Sequence, residues 1–152
     1  MSNLGTKFWQ ECEKAHDDHQ AVLQELVDLE YAMGSLERFS QGYAALQSAQ
    51  EVFRHGIHLC DTLPAHFAEE ETILFTRLSA VSPELARFAR EMSRQHDELR
   101  QMLRDFRHSL ENLRSSPDNC PGFELLREQG VELGRKLAEH MRLEEEYLGG
   151  FL

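Results

Sequence analysis

The sequence has little of what β-sheets, disulfide scaffolds and nucleic-acid-binding proteins require. Of 152 residues, four are Pro and nine are Gly, and the abundance of Leu, Glu, Ala, Arg and Gln favours helix over sheet. Three cysteines without a CxxC pair predict reduced thiols and not a disulfide framework. With 27 acidic side chains against 16 basic ones, the net charge is −11, which argues against a partner made of nucleic acid or an anionic membrane surface.

Long apolar runs are also absent from the sequence. No segment approaches the roughly 18 apolar residues that suggest a membrane span, and the start of the chain, Met-Ser-Asn-Leu-Gly-Thr-Lys, has no apolar signal core. Together with reduced cysteines, these features predict a cytoplasmic protein. The length and the 41% hydrophobic content fit one compact domain over residues 1–152.

What the sequence does contain is helical periodicity. Apolar residues recur at three- and four-residue steps, which predicts helices over about residues 4–32, 43–78, 83–113 and 123–148. We expect Gly34 and Ser35 to end the first helix, Pro64 to kink or split the second, and Ser82 to cap the third. The apolar face of the first helix includes Trp9, Cys12, Leu23, Leu26 and Val27. Four such helices with short connections predict an all-α, up-down-up-down four-helix bundle.

Two of these helices carry a histidine four residues before a glutamate. His66 precedes Glu70, and His140 precedes Glu144. On an α-helix, residues at this spacing share one face and can bind the same metal ion. A single His–Glu pair at this spacing is most often a surface contact worth about 0.2–0.5 kcal/mol. The informative feature is therefore that the pair occurs twice.

The other two helices add one histidine each to the predicted cluster. His16 falls on the apolar arc of the first helix and His96 beside that of the third; each is followed by Asp and, seven residues on, by Leu. The match predicts an internal repeat in which His16 corresponds to His96. Candidates for supporting the ligands by hydrogen bonds are His19, His58 and Tyr147. The predicted metal ligands are His16, His66, Glu70, His96, His140 and Glu144.

Four imidazoles and two carboxylates suit first-row metals such as iron, manganese or zinc. Six ligands are too many for one tetrahedral zinc ion and fit two roughly octahedral ions that the glutamates bridge. An oxide or hydroxide bridge between the ions would leave open positions for a small ligand. Ligand type alone does not select iron over manganese or zinc.

The order of these motifs resembles the hemerythrin-like, or HHE cation-binding, family over nearly the whole chain. The motif is a first His, then HFxxEExxLF, then HD, then HxxLExxxL. The matching residues are His16, His66 to Phe75, His96-Asp97 and His140 to Leu148. The resemblance implies a non-haem di-iron centre in a four-helix bundle, with the histidines as terminal ligands and Glu70 and Glu144 as bridges.

One position distinguishes two groups within that family. Oxygen-carrying hemerythrins have an HxxxH pair on the third helix, whereas this chain has Arg100 four residues after His96. The remaining ligand set looks like that of the di-iron proteins that repair iron–sulfur centres after nitrosative or oxidative damage. The resemblance is therefore closer to these repair proteins than to the oxygen carriers.

The resemblance implies a protein that binds nitric oxide, oxygen or peroxide in stress response, sensing or iron–sulfur-centre repair, with a protein as redox or repair partner. Two alternatives stay open at this stage. One is a peroxidase-like di-iron oxidoreductase. The other is a helical protein-interaction module with a structural or degenerate metal site. Metal content and the response of an optical spectrum to small ligands discriminate among them.

Overall fold

A computed structural model describes residues 2–38, 42–115 and 120–149, with side chains for 5–38, 42–115 and 123–149. Apart from Ser82, every residue in these ranges is helical. The chain therefore confirms the predicted all-α class. The elements in order are α1 (Ser2–Arg38), α2 (Gly42–Glu69), a π-helical segment (Glu70–Leu74), α3 (Phe75–Val81), α4 (Pro83–Ser115) and α5 (Cys120–Gly149).

Several helix boundaries differ from those predicted. α1 continues past Gly34 and Ser35 to Arg38, because an isolated glycine is tolerated in a helix that packs against its neighbours. α2 continues through Pro64, and the irregularity appears later, as the π-helical segment. Residues 39–41, 116–119 and 150–152 lie outside the described ranges, and parts of both predicted connections fall there.

The start of α4 follows the predicted capping pattern. Ser82 is extended, with φ −157° and ψ 158°, and its Oγ accepts a hydrogen bond from the backbone N–H of Leu85 at 3.2 Å. Pro83 occupies the first helical position, where its missing N–H has no partner to lose. Ser82 is thus the single residue that connects α3 to α4.

Neighbouring helices run antiparallel, as pairs of contacts show. Between α1 and α2, Asp18 contacts His66 and Glu25 contacts His55, so that numbers rise along one helix as they fall along the other. The same opposite order holds for the other three neighbouring pairs. They are α2 and its continuation with α4 (Asp61–Arg107, Glu71–Arg100), α4 with α5 (Gln95–His140, Glu98–Lys136) and α5 with α1 (Glu145–His19, Arg127–Glu37). The bundle is therefore up-down-up-down, as predicted.

The core of the bundle consists of two apolar clusters with a polar layer between them. The larger cluster includes Leu29, Val52, Phe106, Leu110 and Leu133, and the smaller one lies towards the other end of each helix. The smaller cluster consists of Cys12, Ala15, Leu74, Phe75, Leu78, Phe88, Ala89, Met92 and Leu148.

None of the helices in the described ranges combines the length and the apolar character that crossing a membrane requires.

Candidate metal centre

The polar layer between the two clusters is made of five buried side chains and one partly buried side chain, His66, and all four long helical segments of the bundle contribute to it. His19 comes from α1 and His96 from α4, while α2 and the π-helical segment, and then α5, contribute the two His–Glu pairs. Their side chains are at most 9% exposed. We use the term polar layer below for His19, His66, Glu70, His96, His140 and Glu144.

Two carboxylates lie at the middle of this layer. Glu70 is 4% exposed and Glu144 is 0% exposed. His66 Nε2 lies 2.8 Å from Glu70 Oε1, and His140 Nε2 lies 2.7 Å from Glu144 Oε1. None of the four carboxylate oxygens has a hydrogen-bond donor in favourable geometry within the described part of the chain. Burying a carboxylate in this way is costly unless a cation compensates its charge.

The imidazoles also contact the carboxylates across the layer. His19 Nε2 lies 3.1 Å from Glu144 Oε2 and 3.8 Å from Glu70 Oε2. His96 Nε2 lies 3.6 Å from Glu70 Oε1 and 3.5 Å from Glu144 Oε1. The Nε2 atoms of His19 and His96 therefore lie near both carboxylates, whereas those of His66 and His140 each contact the glutamate of their own pair.

Side chains outside the polar layer fix the orientation of His66 and His140. The Nδ1 of His66 lies 3.1 Å from Asp18 Oδ2, and the Nδ1 of His140 lies 2.8 Å from Gln95 Oε1. Because both oxygens only accept hydrogen bonds, Nδ1 must donate its hydrogen and the Nε2 lone pair faces the layer. This arrangement, a ring nitrogen held from outside, is usual for histidines that bind metals.

Glutamates hold the other two histidines in the same way. Glu145 Oε1 accepts a hydrogen bond from His19 Nδ1 at 2.9 Å, and Glu71 Oε1 accepts one from His96 Nδ1 at 3.0 Å. Each of these glutamates directly follows a glutamate of the polar layer in sequence. The outer partners were not predicted from the sequence. The sequence signal that could have identified them is the glutamate that directly follows each predicted glutamate ligand, at Glu70–Glu71 after His66 and at Glu144–Glu145 after His140.

The adjacent residues Glu70 and Glu71 lie in the π-helical segment. A π-helical turn adds one residue to the turn and changes which residues share a face. Glu70 and Leu74 are buried in this segment, and Phe75 directly after it is buried as well. Glu71 thereby lies beside α4, where it reaches His96 and Arg100.

Aromatic rings restrict the position of His96 further. The ring of Phe67 stacks on it with centroids 4.2 Å apart and planes at 17°, and Phe75 lies at 5.3 Å and 25°. Close aromatic packing around a ring held by one hydrogen bond leaves it little rotational freedom. The position of this imidazole is therefore set before any metal binds.

Arg100 is directed towards Glu71, which in turn holds His96. Its Nη1 and Nη2 donate to Oε1 and Oε2 of Glu71 at 2.9 and 2.8 Å, and Nη1 also donates to Asp97. Burial would raise the pKa of the Glu71 carboxyl, but the hydrogen bonds from Arg100 and His96 outweigh it and lower the pKa. The residue that stands where oxygen carriers have a histidine thus supports a ligand candidate from outside.

The structure does not bring His16, a predicted ligand, into the polar layer. Its side chain is 47% exposed, and its Nδ1 lies 3.0 Å from Glu145 Oε1. His19, predicted only to support the ligands, occupies the place assigned to His16. His16 follows the exposed Trp9 by two helical turns, whereas His19 follows the fully buried Cys12 by the same interval. The prediction chose His16 because it shares the His-Asp dipeptide with His96, and this match does not follow the buried face of α1.

The internal repeat is present once His19 replaces His16. Val22, Leu26 and Leu29 follow His19 at the same intervals at which Leu99, Leu103 and Phe106 follow His96. Of these six residues, Leu26 is partly buried and the others are buried. The two halves of the repeat therefore correspond through residues that are buried at matching positions, and not through the shared His-Asp dipeptide.

The two other supporting candidates lie outside the polar layer. Tyr147 is 39% exposed, and its ring stacks on Phe88 with centroids 3.9 Å apart, so its role is packing. His58 is exposed and lines a cavity of about 330 Å³ between α1 and α2, to which His66 and Asp18 also contribute. Neither residue holds a member of the layer in the structure.

The charges of the layer depend on whether a cation is bound. Without one, burial would lower the pKa of His19, but the contacts with Glu144 and Glu70 outweigh it and raise the pKa to about 10. Burial would raise the pKa of Glu144, but its contacts with His140, His19 and His96 hold that pKa well below the usual range. Protonated imidazole therefore supplies part of the compensation that a metal ion would supply in full.

The donor atoms of the layer form two groups that fit two metal ions. Ligand atoms of His19, His66 and Glu70 lie within 4.8 Å of one another, and so do those of Glu70, His96, His140 and Glu144. Glu70 belongs to both groups. A shared carboxylate between two neighbouring sets of imidazoles fits a pair of adjacent first-row metal ions.

A further group, Glu25, Asp28 and His55, also has the residue types of a metal site. Its donors already have partners, because His55 Nδ1 lies 2.6 Å from Glu25 Oε1 and Arg54 Nη2 lies 3.3 Å from His55 Nε2. A guanidinium beside the second ring nitrogen opposes a metal cation there. Among the described residues, the polar layer is therefore the stronger candidate.

The two described thiols lie in apolar surroundings. Cys12 is 0% exposed and Cys60 is 5% exposed, and both are free. Burial raises the pKa of each thiol to about 11, which keeps them protonated and unreactive near neutral pH. The side chain of Cys120 lies outside the described residues.

Comparison with known proteins gives one match. No curated protein and no solved structure matches the chain. The family model described as the hemerythrin HHE cation-binding domain matches residues 10–152, which include every member of the polar layer. The predicted resemblance is thereby confirmed, and the chain belongs to the hemerythrin HHE cation-binding domain family.

Proposed function

We propose that the chain is a non-haem di-iron protein that binds a small ligand, nitric oxide, oxygen or peroxide, in stress response, sensing or iron–sulfur-centre repair. The observation that supports this most directly is the pair of buried glutamates, Glu70 and Glu144, whose oxygens have no hydrogen-bond donor in favourable geometry in the part of the chain that the structure describes. Six polar side chains that meet in one layer of the core have no structural use that an apolar core would not serve better. Binding of a cation gives them one.

The residues of the polar layer divide between the two proposed positions. His19 and His66 would hold one iron ion, His96 and His140 the other, and Glu70 and Glu144 would be shared between them. An iron pair, when bound, supplies open coordination positions and the exchange between ferrous and ferric states. The chain itself orients the imidazoles through Nδ1 and excludes bulk water through the apolar clusters on either side.

The surroundings of the layer limit what can reach it. His66 borders the cavity of about 330 Å³ between α1 and α2, which has room for several water-sized molecules at about 30 Å³ each. The opposite side of the bundle has a smaller cavity of about 190 Å³, bordered by His140. Both cavities have room for a diatomic molecule or peroxide beside a histidine of the polar layer.

The identity of the ligand and the metal is tested by preparing the protein without oxygen. We expect iron as the bound metal, a near-ultraviolet charge-transfer absorption after oxidation, and a spectral change with nitric oxide. A folded protein that takes up no iron and shows no such absorption would contradict the proposal and favour an interaction module. Rapid catalytic loss of peroxide would favour the peroxidase-like alternative.

Two glutamates on α5 provide a matched test of the site. Glu144 is 0% exposed within the layer, whereas Glu146, two residues later, is 61% exposed and pairs with Arg142. We expect Glu144→Ala to remove most of the bound iron and Glu146→Ala to leave the iron content unchanged, as measured by metal analysis. Equal iron contents in the two variants would show that the polar layer is not the binding site.

A further inference from the structure

The two halves of the polar layer surround equivalent histidines with side chains of different charge. Asp18 directly precedes His19 and holds the Nδ1 of His66 at 3.1 Å. Gln95 directly precedes His96 and holds the Nδ1 of His140 at 2.8 Å. The two residues therefore have the same position in the internal repeat and the same task, but one offers a carboxylate and the other a neutral amide.

The other two outer partners differ in the same direction. Glu71, which holds His96, is bound by both terminal nitrogens of Arg100 at 2.9 and 2.8 Å. Glu145, which holds His19, contacts the half-exposed ring of His16. A guanidinium stays charged at all ordinary pH values, so it withdraws negative charge from Glu71 more completely than an imidazole does from Glu145.

Lys14 reduces this difference without removing it. Its ammonium lies 3.0 Å from Asp18 and 2.8 Å from Glu69, and its side chain is 50% exposed. A solvated ammonium shared by two carboxylates screens each of them weakly. Asp18 therefore keeps much of its charge towards His66, whereas Gln95 has none to offer His140.

The physical consequence concerns the strength of the imidazole as a ligand. A carboxylate that accepts the Nδ1 hydrogen increases the electron density on the ring and makes Nε2 a stronger donor to a metal ion. An amide oxygen has the same effect more weakly, because its charge is only partial. His19 and His66 are therefore better donors than His96 and His140, although the four residue types are identical.

We infer that the two metal positions of the polar layer differ in affinity, that the position at His19 and His66 is the tighter one, and that Asp18 and Gln95 are positioning residues that set the difference. The inference rests on the proposed binding of two metal ions and does not depend on which small ligand is bound. It predicts that metal ions load in order, first beside Asp18 and then beside Gln95.

The test exchanges the two outer side chains. The metal-free full-length protein is titrated with Co²⁺ under anaerobic conditions, by calorimetry and by the visible absorption of bound cobalt. We expect two unequal binding steps in the unmodified protein. Asp18→Asn should weaken the tighter step by about 10–100-fold, and Gln95→Glu should strengthen the weaker step by about 10-fold.

Matched variants separate this effect from a change in overall charge. Asp17→Asn removes the same charge from the adjacent, exposed position, and Gln101→Glu adds the same charge at an exposed position on α4. Neither should change either step by more than about twofold, a modest effect expected for a screened surface charge. Thermal unfolding of the metal-free variants reports whether each still folds.

The outcomes are distinct. Convergence of the two steps in Gln95→Glu, with selective weakening of the tighter step in Asp18→Asn, supports the inference. Two equal steps in the unmodified protein overturn it, as does an Asp18→Asn titration that matches that of Asp17→Asn. A folded protein that binds no cobalt overturns the proposed function as well, so the two failures can be told apart.

Discussion

The same four long helical segments form two core layers, one apolar and one polar. In the larger apolar cluster, side chains fill the space so closely that a Cβ added at Gly56 would lie 2.6 Å from Leu110 Cδ1. In the polar layer, the carboxylate oxygens of Glu70 and Glu144 have no hydrogen-bond donor in favourable geometry among the described residues. The apolar layer is complete by itself, whereas the polar layer becomes complete only with a cation.

This difference indicates that the apolar layer provides stability and that the polar layer contains the candidate functional site. Phe106 follows His96 by ten residues on α4, or about 15 Å along the helix axis, and it is 0% exposed. One end of the helix thus contributes packing and the other a ligand candidate. If the two layers are separable, a change in one should leave the property of the other intact.

The largest expected effect comes from breaking the apolar layer. Phe106→Ala should lower the free energy of unfolding of the metal-free protein by about 3–5 kcal/mol, because it removes buried apolar contacts and leaves a cavity. Metal content per folded chain should stay unchanged. Denaturant unfolding and metal analysis measure the two quantities. The partly buried Phe53 provides a control, since Phe53→Ala should cost less. Loss of metal from folded Phe106→Ala would contradict the separation of layers.

The second prediction uses pH to separate the two states of the polar layer. The pKa of His19 rises from 6.5 to about 10 in the folded, metal-free chain. Protonation of His19 therefore stabilises that chain fully below about pH 6.5, and the contribution, on the order of a few kcal/mol, is lost as pH rises towards about 10. With metal bound, the ligands must be deprotonated, so stability should rise with pH instead. Denaturant unfolding between pH 6 and 10, with and without metal, measures both slopes. Parallel slopes would contradict the role of the layer.

A smaller effect is expected from the support of His96. Arg100→Lys keeps the charge but loses the two-pronged hydrogen bond to Glu71, because an ammonium does not match both carboxylate oxygens. Because lysine keeps the positive charge beside Glu71, the donor strength of His96 is maintained. The loss of the fixed orientation of Glu71 and His96 should then lower metal affinity by about 10-fold, as is usual when an outer partner of a ligand is weakened. The control is Arg104→Lys, whose side chain is exposed and contacts Gln101. Equal affinities in the two variants would remove Arg100 from the support of the site.

The smallest effect sharpens the description of the apolar layer. A Cβ at Gly134 would meet Leu26 Cδ2 at 3.7 Å, an ordinary contact, so Gly134→Ala should stabilise the protein by up to about 1 kcal/mol through helix propensity. At Gly56 the collision with Leu110 opposes the same gain, and Gly56→Ala should be neutral or destabilising. Thermal unfolding compares the two. A stabilisation of equal size at both positions would show that the packing at Gly56 is looser than the structure indicates.

Much of the bundle could be predicted from the sequence because its signals are local. Three- and four-residue periodicity defined the helices, and the four-residue step identified His66 with Glu70 and His140 with Glu144. Ser82 was recognised as a cap from its own dipeptide with Pro83. In each case the residues that carry the signal lie within one or two turns of one another, where helix geometry fixes their relation.

The choice between His16 and His19 could not be made in this way. Both histidines fall near the apolar arc of α1. They are three residues apart, as are Trp9 and Cys12, so that His16 lies in line with Trp9 and His19 lies in line with Cys12. Trp9 is 41% exposed, whereas Cys12 is 0% exposed. Only contact with the other helices decides which of two overlapping arcs is buried.

The sequence by itself determined four helices, their antiparallel order and five of the six members of the polar layer. The tertiary structure alone decided that His19 completes the layer, and that Asp18, Glu71, Gln95 and Glu145 hold the four imidazoles. These partners lie on different helices from the histidines they hold. Periodicity within one helix carries no information about such contacts, because they depend on the rotation of each helix against its neighbour.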